Sequence, residues 1–394
     1  MSAELVYALA KARIGLQLLN FGEIFEGRHH VTIRMPFGKK TIIDKNLEAI
    51  EELVLAGNYL EAIDALSLSN SLYPSSKAEA RLIQLRHEAL FHMKPISSLS
   101  SWPPNSEDLF HDVDGIPEIG RDEFNVENLR AAIFNNGSLI VRNLISSTEV
   151  RDLVCDIEKA IKMYDAASRG KPLEKCAPWF APIKPSISSE DAEFASKIYL
   201  SRSFVREGGG VLAAESPRAF ERFISLLRKN SVISIIEEFL GERPALSVKK
   251  TTLRRVSPLS SDGFKDFFGA LGWHQDGAFL GDGIRTVNLW IALSDCGIDA
   301  PTMDMVPVRL HEIVPTGTQG AAFDWSVSRE IVDRVSQSSA PVRLQFKAGD
   351  AILFDEMNLH CTAIAQGMTK DRYAIEAWFF APSCYPMEQL PLIV

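Results

Sequence analysis

Four residues in the last third of the chain have the types and spacing to do chemistry. His274 and Asp276 sit in Gly-Trp-His-Gln-Asp-Gly (272–277), and His360 ends Phe-Asp-Glu-Met-Asn-Leu-His (354–360). Arg372 follows twelve positions later (372 − 360 = 12). Two imidazoles and one carboxylate on one face of a metal leave the opposite face open, the arrangement that suits non-heme Fe(II) chemistry. The same ligand types suit zinc, so a zinc hydrolase is the competing metal chemistry. Arg372 favours iron. A guanidinium can hold a carboxylate by two parallel charge-assisted hydrogen bonds, and hydrolysis has no use for such an anchor there.

The spacing has a strand logic. Residues i and i+2 of a strand point to the same side, so His274 and Asp276 can share one ion while Gln275 points away. His360 must then come from a second strand brought alongside. Cys361 next to it is expected on that strand's other side, and Thr362 on the same side as His360. The apolar run Tyr-Ala-Ile-Glu-Ala-Trp-Phe-Phe after Arg372 predicts a buried strand with the arginine pointing inward.

Those residues, with the stretches around them, resemble the Fe(II)/2-oxoglutarate-dependent dioxygenases, and among them the phytanoyl-CoA dioxygenase-like family. The resemblance runs from about 129 to 381. It includes Leu-Arg-Ala-Ala-Ile-Phe-Asn-Asn-Gly-Ser-Leu-Ile-Val-Arg-Asn-Leu-Ile-Ser (129–146), Trp-His-Gln-Asp-Gly (273–277), Val-Asn-Leu-Trp-Ile-Ala-Leu (287–293) and Phe-Lys-Ala-Gly-Asp-Ala-Ile-Leu-Phe-Asp (346–355). It implies iron held by His274, Asp276 and His360, with 2-oxoglutarate and O2 as cosubstrates. Arg372 would bind the distal carboxylate of 2-oxoglutarate, helped by the Thr362 hydroxyl, and Trp290 would lie near the cosubstrate. The strand Lys249–Arg254 is expected to add contacts, from either the Thr251/Leu253 face or the Thr252/Arg254 face, with Thr252 the candidate chosen. The chain departs from the family where Pro-Gly-Ser-His is usual: it reads Met-Asp-Met-Val-Pro-Val-Arg-Leu-His (303–311), keeping Pro307 and His311 only. The implied reaction oxidises a substrate C–H bond and releases succinate and CO2. A carboxylate at 276 implies hydroxylation or a related oxidation such as desaturation. Related halogenases place a small residue there instead.

Bulk properties agree with a globular enzyme. The chain has 394 residues, 46% hydrophobic and 24% charged, enough for two or three domains. A net charge of −9 argues against a nucleic-acid partner and against an anionic membrane surface. Cys155, Cys176, Cys296, Cys361 and Cys384 are scattered and odd in number, which reads as reduced thiols in a cytoplasmic protein. The apolar N-terminus is interrupted by Glu4, Lys11 and Arg13, a poor leader and a better amphipathic helix.

Three regions follow. Residues 1–93 are expected to form a small, mostly helical domain, with a helix over 3–20, a hairpin over 30–43 and helices near 45–56, 59–72 and 76–93. Ala-Gly-Asn-Tyr-Leu-Glu-Ala-Ile (56–63) with Tyr-Pro (73–74) resembles the turn and second helix of a tetratricopeptide repeat. Gly57 would permit close helix approach, Tyr59 and Ala62 would pack, and Pro74 would stop the helix. Residues 94–118, with four prolines among serines, predict a linker across the surface. Residues 119–394 carry helical patterns at Thr148–Met163 and Pro217–Phe239, a glycine loop at 208–210, then strand patterns at Ala245–Val256, Thr286–Ser294, Val342–Phe346, Ala351–Phe354 and Tyr373–Ala381. Helices followed by many short strands predict an α+β fold, a double-stranded β-helix (jelly roll) buttressed by helices.

The expected partner is a small-molecule substrate, a metabolite or biosynthetic intermediate. Its candidate contacts are Trp273, Gln275, Phe279, the 277–283 segment, and a lid within 165–210 carrying Lys171, Trp179 and Tyr199. Two alternatives stand beside this: an acyl-thioester or carrier-bound substrate docked by residues 1–93, and a non-catalytic scaffold.

Overall fold

The computed structural model describes residues 39–183, 190–258, 272–281 and 283–394. The expected helix over 3–20 and most of the expected hairpin lie outside them. Within them, residues 39–43 are helical and not strand.

Three helices come first: α1 (Lys39–Leu55), α2 (Tyr59–Leu72) and α3 (Ser76–His92). Each buries an apolar stripe at helical spacing: Leu47, Ile50 and Leu53; Ala62, Ile63 and Leu66; Ala78, Leu82, Leu85 and Ala89. Gly57 has φ +81, and a Cβ there would meet nothing within 4 Å. Its role is therefore the left-handed turn between helices, not the close helix approach expected of it. Tyr59 stacks on His92 with ring centroids 4.4 Å apart.

The three helices do not close a core by themselves. Their apolar faces form one cluster with Ala245, Trp378, Phe380 and Ile393 of the sheet described below. A buried ion pair crosses the same boundary: Arg86 Nε and Nη2 each donate to the Glu221 carboxylate at 2.9 Å, and Nη1 donates to the carbonyl of Ile393. The proline-rich stretch after α3 has no regular structure, yet it is anchored. Trp102 lies edge-on to Phe134 and Phe239, and the Ser98 amide donates to the Gly241 carbonyl.

The body opens with β1 (Glu118–Gly120), α4 (Val126–Ala131), β2 (Ser138–Arg142), α5 (Ser147–Ser168), α6 (Glu190–Glu207) and β3 (Gly210–Leu212). Ser146 caps α5 with a reciprocal capping box to Glu149. The expected single helix over 217–239 is two, α7 (Pro217–Lys229) and α8 (Val232–Leu240), broken at Ser231 with φ 59. The expected strand over 245–256 is also two pieces, β4 (Ala245–Ser247) and β5 (Thr252–Val256). There follow a single turn of helix α9 (Gly277–Leu280), β6 (Thr286–Ala292), β7 (Thr302–Met305), α10 (Arg329–Val335), β8 (Val342–Arg343), β9 (Ala351–Phe354), β10 (His360–Ala363), β11 (Arg372–Phe380) and β12 (Pro391–Ile393).

The strands form two sheets. The larger runs β1-β2-β9-β6-β11-β4-β12, with β5 also on β11 and β3 on β5; the smaller runs β10-β7-β8. The architecture is α+β: a jelly-roll β-core buttressed by helices. Alternation along β11 makes the layering visible. Ile375, Ala377 and Phe379 pack with Leu153, Phe220, Phe223 and Ile236 of the helical layer. Ala374, just before them and on the other face of the strand, packs with Trp290, Met303, Met305, Ile352 and Phe354 in the space between the sheets. Gly349, before β9, takes φ +104 because a Cβ there would stand 2.5 Å from the Ile145 carbonyl oxygen. Asp350 beside it accepts from the amides of Asn143 and Lys347 and pairs with Arg142, which fixes the turn that delivers β9. Among the described residues no helix is long and apolar enough to cross a membrane.

Candidate metal centre

His274 and His360 meet across an isolated antiparallel bridge, each amide donating to the other's carbonyl, at 2.9 and 3.0 Å. Asp276 departs from the expected strand geometry. Its backbone is helical (φ −67, ψ −24) at the N-cap of α9, so a turn and not a pleat brings its carboxylate round to the histidines. The outcome is still one cluster: donor atoms of His274, Asp276 and His360 lie within 4.8 Å of one another. His274 Nε2 is 3.7 Å from Asp276 Oδ1, and His360 Nε2 is 3.6 Å from Oδ2. Each imidazole places Nδ1 against a backbone carbonyl, Gly272 O at 2.6 Å and Asn358 O at 3.2 Å, which orients Nε2 toward the carboxylate.

Burial holds the His274 pKa well below its usual value, with His360 adding to the effect, so the ring is in the neutral form that binds metals. Burial raises the Asp276 pKa, opposed by His360 and Lys250. Asp276 Oδ2 is buried with no hydrogen-bond partner. Two imidazole nitrogens and an unsatisfied carboxylate oxygen suit a divalent transition metal.

Gln275 does point away, but not toward a substrate. It is buried, its amide nitrogen donating to Glu312 O and Met357 O and its oxygen accepting from the Val314 amide. It clamps the metal-bearing turn to its neighbours. Trp273 is likewise buried, in a cluster with Val306, Val314, Ile331, Leu359 and Cys361. Both therefore leave the substrate-contact set expected from sequence.

Arg372 opens β11 and is buried. Its Nη1 donates to Thr302 O at 3.1 Å, its guanidinium carbon lies 5.5 Å from the Trp290 ring centroid, and its Nε has no partner. Burial lowers its pKa to about 10, which leaves it charged at neutral pH. Thr302 pairs with Ala363, next to Thr362, so Thr362 and Arg372 occupy the same end of the space between the sheets. Trp290 also packs on Phe346, at 5.1 Å.

Thr252 sits further along. The register pairs Glu376 with Thr252 on one side and with Trp290 on the other. Thr252 Oγ1 is 3.4 Å from Glu376 Oε2 and accepts from Arg254 Nε, while Arg254 Nη2 reaches Glu376 at 3.1 Å. The Thr252/Arg254 face is thus the inner one; Leu253 packs with the helical layer. Burial pushes the Glu376 pKa up, but Arg254 and Lys250 bring it below its usual value. Sequence reasoning missed Glu376. Its signal was a carboxylate in an apolar strand at an even offset from Arg372 (376 − 372 = 4).

The rim is aromatic. Phe279 and Trp325 each stand 5.8 Å from the His274 ring, and Lys250 Nζ lies 5.1 Å above Phe279 and 4.0 Å from Asp276. Trp325 was not expected; Lys250 belongs to the 249–254 stretch expected to add contacts, but sits in a turn before β5. Of the expected lid, Trp179 packs on the helical side of the large sheet, beneath Lys159 and near Arg218. Lys171 Nζ lies 3.5 Å from Met163 Sδ. Tyr199 is carried on α6, its side chain outside the described set.

No curated protein matches the chain. Solved structures that resemble it include the epimerase SnoN in complex with Fe3+, alpha ketoglutarate and nogalamycin RO (14% identity, 65% of this chain and 83% of that one, TM-score 0.41). The non-heme alpha ketoglutarate dependent carbocyclase SnoK from nogalamycin biosynthesis is another (16% identity, 67% and 86%, TM-score 0.41). A third is AviO1 from Streptomyces viridochromogenes Tue57 (16% identity, 64% and 92%, TM-score 0.39). Residues 134–364, 231 of 394 (364 − 134 + 1), match the family described as Phytanoyl-CoA dioxygenase (PhyH). The chain belongs to the phytanoyl-CoA dioxygenase family of non-heme iron, 2-oxoglutarate-dependent enzymes.

Proposed function

We propose that this protein is a dioxygenase that hydroxylates an unactivated C–H bond of a small metabolite or biosynthetic intermediate, converting 2-oxoglutarate to succinate and CO2. The observation that carries this reading is Arg372: a buried cation with an unpartnered Nε, whose Nη1 bonds β7, the strand that pairs with His360 of a two-histidine, one-carboxylate cluster. A buried guanidinium with a free donor is costly unless a ligand's anion meets it.

His274, Asp276 and His360 would hold the iron. Bound there, iron supplies oxygen activation coupled to oxidative decarboxylation of the cosubstrate. Arg372 receives the distal carboxylate, Thr362 adds a hydroxyl donor, and Trp290 supports the guanidinium from beneath. Met303, Met305, Ile352 and Phe354 line the same space with apolar surface, which excludes bulk water. Thr252, tied to Glu376 and Arg254, borders the pocket farther from Arg372 and stiffens its wall. The retained carboxylate at 276 supports hydroxylation over halogenation.

The test is succinate formation from 2-oxoglutarate with Fe(II) and air. Substrate-independent turnover is expected to be slow, to rise with the true substrate, and to vanish in His360→Ala. Wild-type protein that holds Fe(II) yet forms no succinate with any candidate substrate counts against an oxygenase.

A further inference from the structure

We propose that Lys250, Phe279 and Trp325 form the substrate subsite, and that the substrate is an aromatic or conjugated ring bearing an anionic group. The inference rests on the oxygenase reading above and names its substrate class.

Among the described residues of the metal cluster, His274 is the least covered. The His274 side chain is 21% exposed, against 8% for His360 and 3% for Asp276. A substrate therefore approaches past His274, and what flanks that ring is aromatic: Phe279 and Trp325, each at 5.8 Å. Their own centroids are 6.3 Å apart and tilted by 55°, which makes a corner and not a slot. Phe323 stacks on Trp325 at 5.1 Å and 2°, fixing that wall. Phe279 is 39% exposed, a large apolar face turned outward beside a catalytic cluster. Such a corner accepts a ring edge-on to one wall and offset over the other.

Lys250 supplies the charge. The β11–β5 register sets Arg372 against Val256 and Glu376 against Thr252. Lys250 stands in the turn just before β5, 4.0 Å from Asp276, next to the Thr252–Glu376 level and away from Arg372. Four residues of strand separate those two levels by about 13 Å. A cosubstrate anchored at Arg372 and chelating the metal leaves Lys250 on the substrate's side. Among the described residues, Asp276 is the only carboxylate within 4.0 Å of its ammonium. Iron at Asp276 would take up that carboxylate's charge; Glu376 also acts on Lys250 but is held by Arg254, so the ammonium can meet a substrate anion. Arg254 does not compete for the role, because Glu376 already holds it.

The probes are 2-naphthoate, 2-naphthylmethylamine and cyclohexanecarboxylate, titrated anaerobically into enzyme saturated with Fe(II) and 2-oxoglutarate. The readouts are calorimetry and the perturbation of the iron–cosubstrate charge-transfer band. Naphthoate is expected to bind at least tenfold more tightly than either other probe. Lys250→Met should remove the preference over the amine, and Trp325→Leu the preference over the alicyclic acid, each with the band of the probe-free complex retained. Equal binding of the three probes, or unchanged naphthoate affinity in both variants with the band intact, overturns the subsite and leaves the oxygenase reading standing. A wild-type protein without the band overturns both.

Discussion

His274 and His360, 86 residues apart in sequence (360 − 274), form one hydrogen-bonded antiparallel pair through reciprocal backbone bonds of 2.9 and 3.0 Å. The ligand separation is thus set by the backbone and not by side-chain contact alone. Asp276 is then added by a tight turn two residues on. A site built in this way is largely preorganised before metal arrives.

Removing the carboxylate should therefore leave the pocket but not the ion. Asp276→Ala is expected to retain the fold by circular dichroism while Fe(II) affinity drops more than about 100-fold, since altering outer-shell partners alone costs about 10- to 100-fold. Equilibrium dialysis against Fe(II) reads this directly. Full hydroxylase activity in Asp276→Ala contradicts the ligand assignment.

Arg372→Met removes the charge and keeps much of the volume under Trp290. Losing a charge-assisted hydrogen bond costs about 1.5–3 kcal/mol, so 2-oxoglutarate should bind roughly 10- to 150-fold more weakly. Fe(II) binding should be unchanged, because Arg372 lies outside the metal-binding cluster. Unaltered 2-oxoglutarate affinity places the carboxylate anchor elsewhere.

Glu356 offers a pH test. Burial, and then the neighbouring Asp355, push its pKa up to about 8 from 4.5, and its Oε2 has no partner. The folded state thus holds a proton that the unfolded chain releases near 4.5, so this group's contribution is full below that pH and is lost as pH rises through about 8. Glu356→Gln, which cannot ionise, should raise the melting temperature relative to wild type at pH 8.5 and change it little at pH 5. A constant difference at both pH values means Glu356 is ionised in the folded protein.

The helices over 39–92 share their core with the sheet, and Arg86–Glu221 lies inside that joint. Arg86→Met should cost about 3–5 kcal/mol by stranding the buried Glu221, and Arg86→Met/Glu221→Leu should recover much of it. Truncation of residues 1–93 exposes Ala245, Trp378, Phe380 and Ile393, and should give aggregated or strongly destabilised protein by thermal melt. A truncated chain that melts like the whole one shows a separable domain.

The sequence made the chemistry more legible than the geometry. His274, Asp276 and His360 stand out because histidine is scarce, eight in 394 residues, and the structure brings the three together. The path that joins them does not stand out. Thr302–Met305, the strand that pairs with His360, is short, nearly all buried and followed by a proline, so it shows no alternation. The i, i+2 spacing of His274 and Asp276 suits a pleat, whereas the helical turn that carries Asp276 fits because Gly277 leaves room for Ile313 and the Glu356 carbonyl, which a Cβ would meet at 2.5 and 3.2 Å. Trp325 lies 51 residues from His274 (325 − 274) with no motif linking them, and only folding brings the two rings together. The packing of α1–α3 on the sheet was hidden for a similar reason: the tetratricopeptide-like turn predicts a hairpin but not what covers its apolar face.

The central claim is that one buried site holds Fe(II) and 2-oxoglutarate together. Anaerobic titration of Fe(II) and 2-oxoglutarate into the purified protein, read by the visible metal-to-ligand charge-transfer band, tests it most directly. A band saturating at one iron per chain is expected, absent in His274→Ala and demanding far more 2-oxoglutarate in Arg372→Met. A wild-type protein that shows no band yet binds zinc tightly at the same three residues contradicts it.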